Sequence, residues 1–156
     1  MTHLVADDSR GSLAAVLPDD VVTVDAAAVR DAVARDGADV VVVDTVSVAD
    51  PAAVVDAIRS ATDAAVVAVG TTGLDADVEC ASVSEASVRA AVERARHIAA
   101  YRDSVSALYE ACRERALGRP DEAVRERRRN ADEQFDSLPD DRAAFAAALR
   151  SEGEDG

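Results

Sequence analysis

The chain has 156 residues, with 31 acidic and 17 basic side chains, and its formal charge is −14. All the basic residues are arginine, and alanine and valine together fill 59 positions. A protein this negative is not expected to bind nucleic acid or an anionic membrane surface, and no apolar run reaches the roughly 18 residues of a membrane span. The N-terminus has no basic region ahead of an apolar one, so we expect a cytoplasmic protein.

Short valine-rich runs recur through the first hundred residues and predict strands. The run at 40–43 is apolar at every position, which is typical of a strand buried on both faces of a parallel sheet. The runs lie at residues 4–6, 21–24, 40–43, 65–69 and 78–83. With helices between them, they predict an α/β fold: a flavodoxin-like, doubly wound parallel sheet of five strands in the order 2-1-3-4-5.

The helices between these strands are expected to be short. Residues 26–35 and 51–61 place their apolar side chains on one face, and Asp50 and Pro51 form an N-cap followed by proline at the first helical position. Residues 9–16 allow only about two turns. Residues 71–77 are too few for a full helix, so one crossover helix is expected to be shortened and another to be missing.

From about residue 84 the sequence predicts one long helix. Ser82 and Glu85 have the spacing of a capping box, with Ser84 as an alternative cap, and no helix breaker follows until Gly118. The apolar seam of this helix consists of Val88, Ala91, Ala95, Ile98, Val105, Leu108 and Cys112. Beyond Tyr101 the helix must either fold back onto a second helix or pair with another chain. We favour the fold-back, with dimerisation as an addition to it.

Carboxylates follow two strands that the predicted order makes neighbours. Asp7 and Asp8 follow the first run, and Asp44 follows the third. Because the carboxyl ends of adjacent parallel strands meet at one edge, the three side chains are expected to share a crevice, where Mg²⁺ would neutralise them. Thr71 or Thr72, after the fourth run, would lie beside it. An aspartate at a strand end can instead serve as a helix cap.

This arrangement resembles the receiver domain of two-component response regulators, over roughly residues 2–98. The resemblance implies that Asp7 and Asp8 bind Mg²⁺ together with Asp44, and that Asp44 accepts a phosphoryl group from a histidine kinase in a phosphorelay. It also implies that Thr71, or Thr72 as the fallback, supplies the switch hydroxyl. We therefore assign residues 1–98 to a receiver-like domain.

Two departures from the receiver pattern bear on mechanism. Receivers carry a lysine after the fifth strand, whereas this position falls at about Ala81 and Ser82, and the chain contains no lysine. Arginine is a poor substitute for the point charge of lysine, and none is found nearby before Arg89. The fourth helix is also reduced to residues 72–77. The resemblance thus implies a degenerate receiver, a pseudo-receiver that is not an enzyme.

The segment 101–118 resembles the start of the HalX domain, a helical module that follows receiver domains in haloarchaeal regulators. The matching features are Tyr101, the Leu108-Tyr109 pair and the Arg-Glu-Arg-Ala stretch at 113–116. The resemblance implies a helical hairpin or bundle over residues 99–150, a role in signalling, and a halophilic source that fits the acidic composition. Residues 151–156 are expected to form a flexible acidic tail.

The remaining reactive side chains favour no catalytic chemistry. Cys80 and Cys112 are far apart and are expected to be buried hydrophobes, and His97 has no nucleophile at a suitable spacing. The arginine cluster at 125–129 lies among acidic residues and is interpreted as a solvated, internally paired helix face rather than a nucleic-acid site.

Three functions remain as hypotheses. The first is a non-enzymatic regulator-like protein that binds a partner protein, such as a histidine kinase or another signalling protein. The second is a working phosphoacceptor that uses Asp44 with Mg²⁺. The third is a homodimeric scaffold in which the long helix drives self-association.

Overall fold

The computed structural model describes residues 1–6, 13–17, 20–70, 72–118 and 121–149. It divides into two compact units, Met1–Arg96 and His97–Gly156. The first unit is an α/β unit and the second is helical, and each is described here by itself.

A parallel sheet of five strands forms the centre of the first unit. The strands are β1 (Thr2–Val5), β2 (Val22–Val24), β3 (Val40–Asp44), β4 (Ala65–Val69) and β5 (Val78–Cys80). Their order is β2-β1-β3-β4-β5, and every pair of neighbours is parallel. This confirms the flavodoxin-like arrangement predicted from the sequence.

The central strands explain why the valine runs are continuous. Every residue of β3 and of β4 is buried, because the chain covers both faces of the sheet at these strands. On one face, Val41 and Val43 of β3 belong to a core cluster with Val33, Val55 and Ile58. Burial of this many valines supplies the main stabilisation of the unit.

The strand ends differ from the sequence prediction by a few residues. β1 begins at Thr2 rather than at residue 4, and β2 begins at Val22. β5 ends at Cys80, whereas the apolar run predicted a strand to residue 83. Just after the end of β5, the Cys80 thiol donates to the carbonyl of Ser82 at 3.0 Å.

The connecting helices are short, as predicted. They are α1 (Leu13–Val16), a 3₁₀ turn (Ala26–Ala28) leading into α2 (Val29–Asp36), and α3 (Pro51–Ala61). Helix α2 ends at Asp36 and is followed by Gly37, whose φ of +63° is the left-handed conformation that favours glycine. Helix α3 begins with the predicted cap, since the Asp50 carboxylate accepts from the Ala53 amide at 3.1 Å. Between β4 and β5, the described residues 72–77 contain no helix.

The long helix α4 covers Glu85–Ala116, which is 32 residues and about 48 Å. Ser84 is its cap, because the Ser84 hydroxyl accepts from the Ser87 amide at 3.3 Å. Ser82 instead accepts from the Ser84 amide at 3.3 Å. Of the two caps left open by the sequence, the structure therefore uses Ser84.

The described part of the second unit contains two further helices, α5 (Glu122–Asp136) and α6 (Arg142–Ala148). The Asp141 carboxylate caps α6 by accepting from the Ala144 amide at 2.7 Å. In the described part of the chain, no helix combines the length and apolar character needed to cross a membrane.

Candidate site at the carboxyl edge of the sheet

Asp44 is the last residue of β3 and lies at the carboxyl edge of the sheet. It pairs in register with Val69, the last residue of β4, while Val43 pairs with Val5 at the end of β1. The topological switch of the fold is between β1 and β3, where the crevice of such folds binds ligands. The structure therefore places Asp44 where the sequence predicted it.

The Asp44 side chain is buried and bonded to its own turn. Its Oδ1 accepts from the Val46 amide at 3.2 Å and from the Ser47 amide at 3.4 Å. The Asp44 carbonyl accepts from the Val48 amide at 3.2 Å and from the Ser47 hydroxyl at 3.3 Å. This is the local carboxylate-to-backbone bonding that aspartate uses at turns, and it fixes the start of the loop after β3.

Thr45 and Gly70 lock the loops after β3 and β4 together. The Thr45 amide and hydroxyl both donate to the Val69 carbonyl, at 3.1 and 2.8 Å. Gly70 has a φ of +108°, and a Cβ there would come within 2.9 Å of the Thr45 Oγ1 and 2.8 Å of a Val46 methyl. A side chain at position 70 would therefore collide with the loop that carries Asp44.

Of the other residues predicted for this site, the structure describes only Thr72. Asp7, Asp8 and Thr71 lie outside the described residues. Thr72 is exposed, and the bonds of Asp44 go to its own turn instead. Ala81, at the position of the receiver lysine, is also exposed. The roles predicted for Asp7, Asp8, Thr71 and Thr72 stay predictions.

The predicted Mg²⁺ site rests on Asp7, Asp8 and Asp44, of which only Asp44 is described. Among the residues that the structure describes, no group of three or more His, Cys, Asp or Glu side chains could hold a metal ion. The Oδ1 of Asp44 already accepts two amide hydrogen bonds, so only its other oxygen would be available to a cation. Binding of Mg²⁺ by this set stays a prediction.

An ionic contact that the sequence reading missed lies near the start of β5. Asp77 is buried, and its Oδ2 accepts from the Val66 amide at 2.8 Å. Its Oδ1 lies 3.4 Å from the Arg59 guanidinium, which also donates to the Asp75 carbonyl at 2.7 Å. These bonds tie helix α3 to the loop before β5, and they give Arg59 and Asp77 a structural role.

A second missed pair joins β1 to α2. His3 is fully buried, and its Nε2 lies 3.0 Å from the Asp36 carboxylate. The hydrogen bond from Arg35, and to a smaller extent the one with His3, lowers the pKa of Asp36 from 3.8 to about 2. His3 is at the amino end of β1, so this pair is not part of the Asp44 site.

The helical unit contains an aromatic cluster that joins all three of its helices. Phe135 of α5 lies 5.7 Å from Tyr101 of α4 and 5.5 Å from Phe145 of α6, between ring centroids. The Arg102 guanidinium donates to the Ala147 carbonyl at 2.6 Å. The fold-back that the sequence favoured is therefore confirmed.

One expectation for the reactive side chains is wrong. Cys80 is buried as predicted, but Cys112 is exposed, because it lies on a side of α4 that the fold-back leaves uncovered. His97 is half-buried within α4. The helical unit thus presents a thiol but no site with recognisable chemistry among its described residues.

Comparison of the chain with models of known families, with curated proteins and with solved structures finds no match. The fold is established by the sheet topology, whereas the receiver and HalX resemblances stay predictions.

Proposed function

We propose that this chain is a non-enzymatic, regulator-like protein of signal transduction. It would bind a partner protein in the cytoplasm through its receiver-like unit and its C-terminal helices. The observation that carries this proposal is the state of Asp44. Its carboxylate stands at the acceptor position of the fold but holds its own turn, in a chain without any lysine.

The missing lysine argues against efficient phosphoryl transfer. A transferred phosphoryl group develops negative charge that must be met by fixed positive groups. After β5 the chain offers Ala81 and Ser82, and the next basic residue is Arg89, one turn inside α4. Arg89 is paired with Glu85 at 2.6 Å, so its charge is already engaged.

The partner is inferred to be a protein. The HalX-like resemblance supports a signalling protein, such as a histidine kinase, as the partner. The formal charge of −14 argues against nucleic acid, and a membrane surface is disfavoured for the same reason.

The alternative function is a working phosphoacceptor. It is favoured by the position of Asp44 at the switch point of the sheet, beside the end of β1. In that case Mg²⁺ held by Asp7, Asp8 and Asp44 would supply positive charge without a lysine.

An assay of phosphoacceptance separates these functions. The whole chain is incubated with Mg²⁺ and a small phosphodonor at high salt, and its intact mass is measured. The proposal predicts no added phosphoryl group. A gain that Asp44→Asn removes, while the exposed control Asp56→Asn keeps it, would establish the alternative.

The partner-binding part of the proposal needs its own experiment. Purification of the tagged chain from cells of its source, under native salt, is expected to recover a signalling protein in stoichiometric amount. Recovery of the chain alone, at a concentration where it is folded, would contradict binding to a different protein.

A further inference from the structure

Four exposed arginines lie close together in the sequence of α5. Arg127, Arg128 and Arg129 have no ion-pair partner among the residues that the structure describes. The Arg125 guanidinium makes a long contact of 3.9 Å with the Asp121 carboxylate. The described structure therefore does not show the internal pairing that the sequence predicted for this cluster.

Pairing at the same spacing does form on α4. Arg96 pairs at 2.8 Å with Glu93, which lies three residues before it. Glu126 precedes Arg129 by the same three residues, but these two side chains are not paired in the described structure. The arginines of α5 thus keep their charge available to other groups.

The order of charges along α5 does not favour the helix itself. Asp132 and Glu133 follow Arg128 and Arg129 by four residues, which is the less favourable order for a pair on a helix. The last turn carries Glu133 and Asp136 but no basic residue, although the C-terminus of a helix favours positive charge. Neither local pairing nor the helix dipole accounts for these arginines.

Three of the four arginines lie on one side of α5. Arg125, Arg128 and Arg129 are separated by three and four residues, a spacing that places side chains next to each other. We call these three residues the arginine face. It covers about 6 Å of the helix axis. By the same spacing, Asp121 and Asp132 lie on this side at the two ends of the face.

The charges of the arginine face and of its ends select the kind of partner. Arginine binds carboxylates through two parallel hydrogen bonds, and clusters of arginine recognise acidic motifs in proteins. A short segment with a few carboxylates can contact the face without reaching the acidic residues at its ends. A nucleic acid duplex carries a charge about every 1.7 Å and continues past the face, so these acidic ends and the formal charge of −14 disfavour it.

We propose that the arginine face is the docking surface for a short acidic segment of a partner protein. The inference rests on the partner-binding function proposed above for the C-terminal helices, and it adds the chemistry of the partner. Exposed ion pairs contribute little individually and are screened by salt. The contact is therefore expected to orient the partner and to select it by charge.

The test measures binding of a fluorescent hexaglutamate peptide to the whole chain by fluorescence anisotropy, at about 0.15 M salt. Saturable binding is expected for hexaglutamate and not for hexaglutamine. The double variant Arg128→Gln, Arg129→Gln is expected to raise the Kd for hexaglutamate at least about tenfold. The control is Arg30→Gln, Arg89→Gln, which removes the same charge at exposed positions of α2 and α4 and should bind like the wild type.

Three outcomes concern the arginine face directly. No saturable binding up to millimolar hexaglutamate would overturn the inference, and so would an unchanged Kd in the Arg128→Gln, Arg129→Gln variant. Equal weakening by the control variant would also overturn it, because the effect would then be one of net charge. Circular dichroism checks that both variants keep their helices, since glutamine favours a helix about as well as arginine.

A fourth outcome concerns the class of partner. Tighter binding of an oligothymidylate of equal charge than of hexaglutamate would assign the arginine face to nucleic acid and overturn the inference. Neither the phosphoacceptance assay nor the recovery of a partner from cells uses these peptides. A recovered signalling protein, together with a hexaglutamate peptide that does not bind, would refute the arginine face and leave the proposed function standing.

Discussion

The buried carboxylate of Asp77 accepts a hydrogen bond from the backbone amide of Val66 at 2.8 Å. Val66 is in β4, next to the sheet edge strand β5, and its amide is buried. The other oxygen of Asp77 faces Arg59 of α3 at 3.4 Å. A single side chain thus joins a helix, a strand and the loop before β5.

Removal of this carboxylate is expected to destabilise the α/β unit. Asp77→Ala leaves a buried amide without its acceptor and removes the buried carboxylate beside Arg59, which should lower the free energy of unfolding by about 2 kcal/mol or more. Urea denaturation measures the change. The control is Asp75→Ala, because the Asp75 carboxylate is exposed and lies 3.6 Å from Arg59, so its loss should cost at most about 1 kcal/mol. Equal effects of the two variants would refute the account of Asp77.

Gly70 and Gly73 form a matched pair for the loop after β4. Both have a positive φ, +108° and +86°, but only Gly70 is packed against Thr45 and Val46. Gly73→Ala should lower the free energy of unfolding by about 1–2 kcal/mol, because alanine is strained in this backbone conformation. Gly70→Ala should cost at least about 1 kcal/mol more, because its methyl group collides with the neighbouring loop. Thermal denaturation of both variants tests this, and Gly70→Ala is expected to have the lower melting temperature. A lower melting temperature for Gly73→Ala would contradict the packing of Gly70 against Thr45 and Val46.

The turn after β3 predicts how Asp44 responds to substitution. Asp44→Asn keeps an oxygen that can accept from the amides of Val46 and Ser47, so the free energy of unfolding should stay near that of the wild type. Asp44→Ala removes the acceptor of these hydrogen bonds and should lower the free energy of unfolding by about 1 kcal/mol. Chemical denaturation of both variants is the measurement. A loss in Asp44→Asn as large as in Asp44→Ala would show that charge, rather than these hydrogen bonds, matters at this position.

Asp36 makes stability depend on pH in the acid range. Because its pKa falls from 3.8 to about 2 on folding, its ionised form stabilises the folded state above about pH 4. That contribution is lost as the pH falls towards 2 and the folded state takes up a proton. The difference in unfolding free energy between wild type and Asp36→Asn should therefore shrink between about pH 4 and 2. A difference that stays constant across this range would contradict the pairing with Arg35 and His3.

The sheet could be predicted from the sequence because its signals are local. The run Val40–Asp44 is apolar almost throughout, and its neighbour Ala65–Val69 has the same pattern, which is typical of parallel strands covered on both faces. The position of Asp44 followed directly, since a residue at a strand end is placed by the strand itself. The cap of α3 was equally local, because Asp50 and Pro51 carry its signal in two adjacent residues.

The remaining contacts depend on residues far apart in the chain. Arg59 and Asp77 are 18 positions apart, and His3 and Asp36 are 33 apart, so no spacing rule joins them. The exposure of Cys112 was missed for a related reason. The apolar seam of α4 predicts an interface along its whole length, but the fold-back onto α5 and α6 buries a different side of the helix.

We propose that Asp44 stands at the acceptor position of a receiver-like fold but takes no part in phosphoryl transfer. The most direct test is the intact mass of the chain after incubation with Mg²⁺ and a small phosphodonor, followed over time. Asp44→Asn, which should keep the fold, serves as the control. The account predicts that neither protein gains the mass of a phosphoryl group. A phosphoryl group that appears on the wild type and is absent from Asp44→Asn would contradict it.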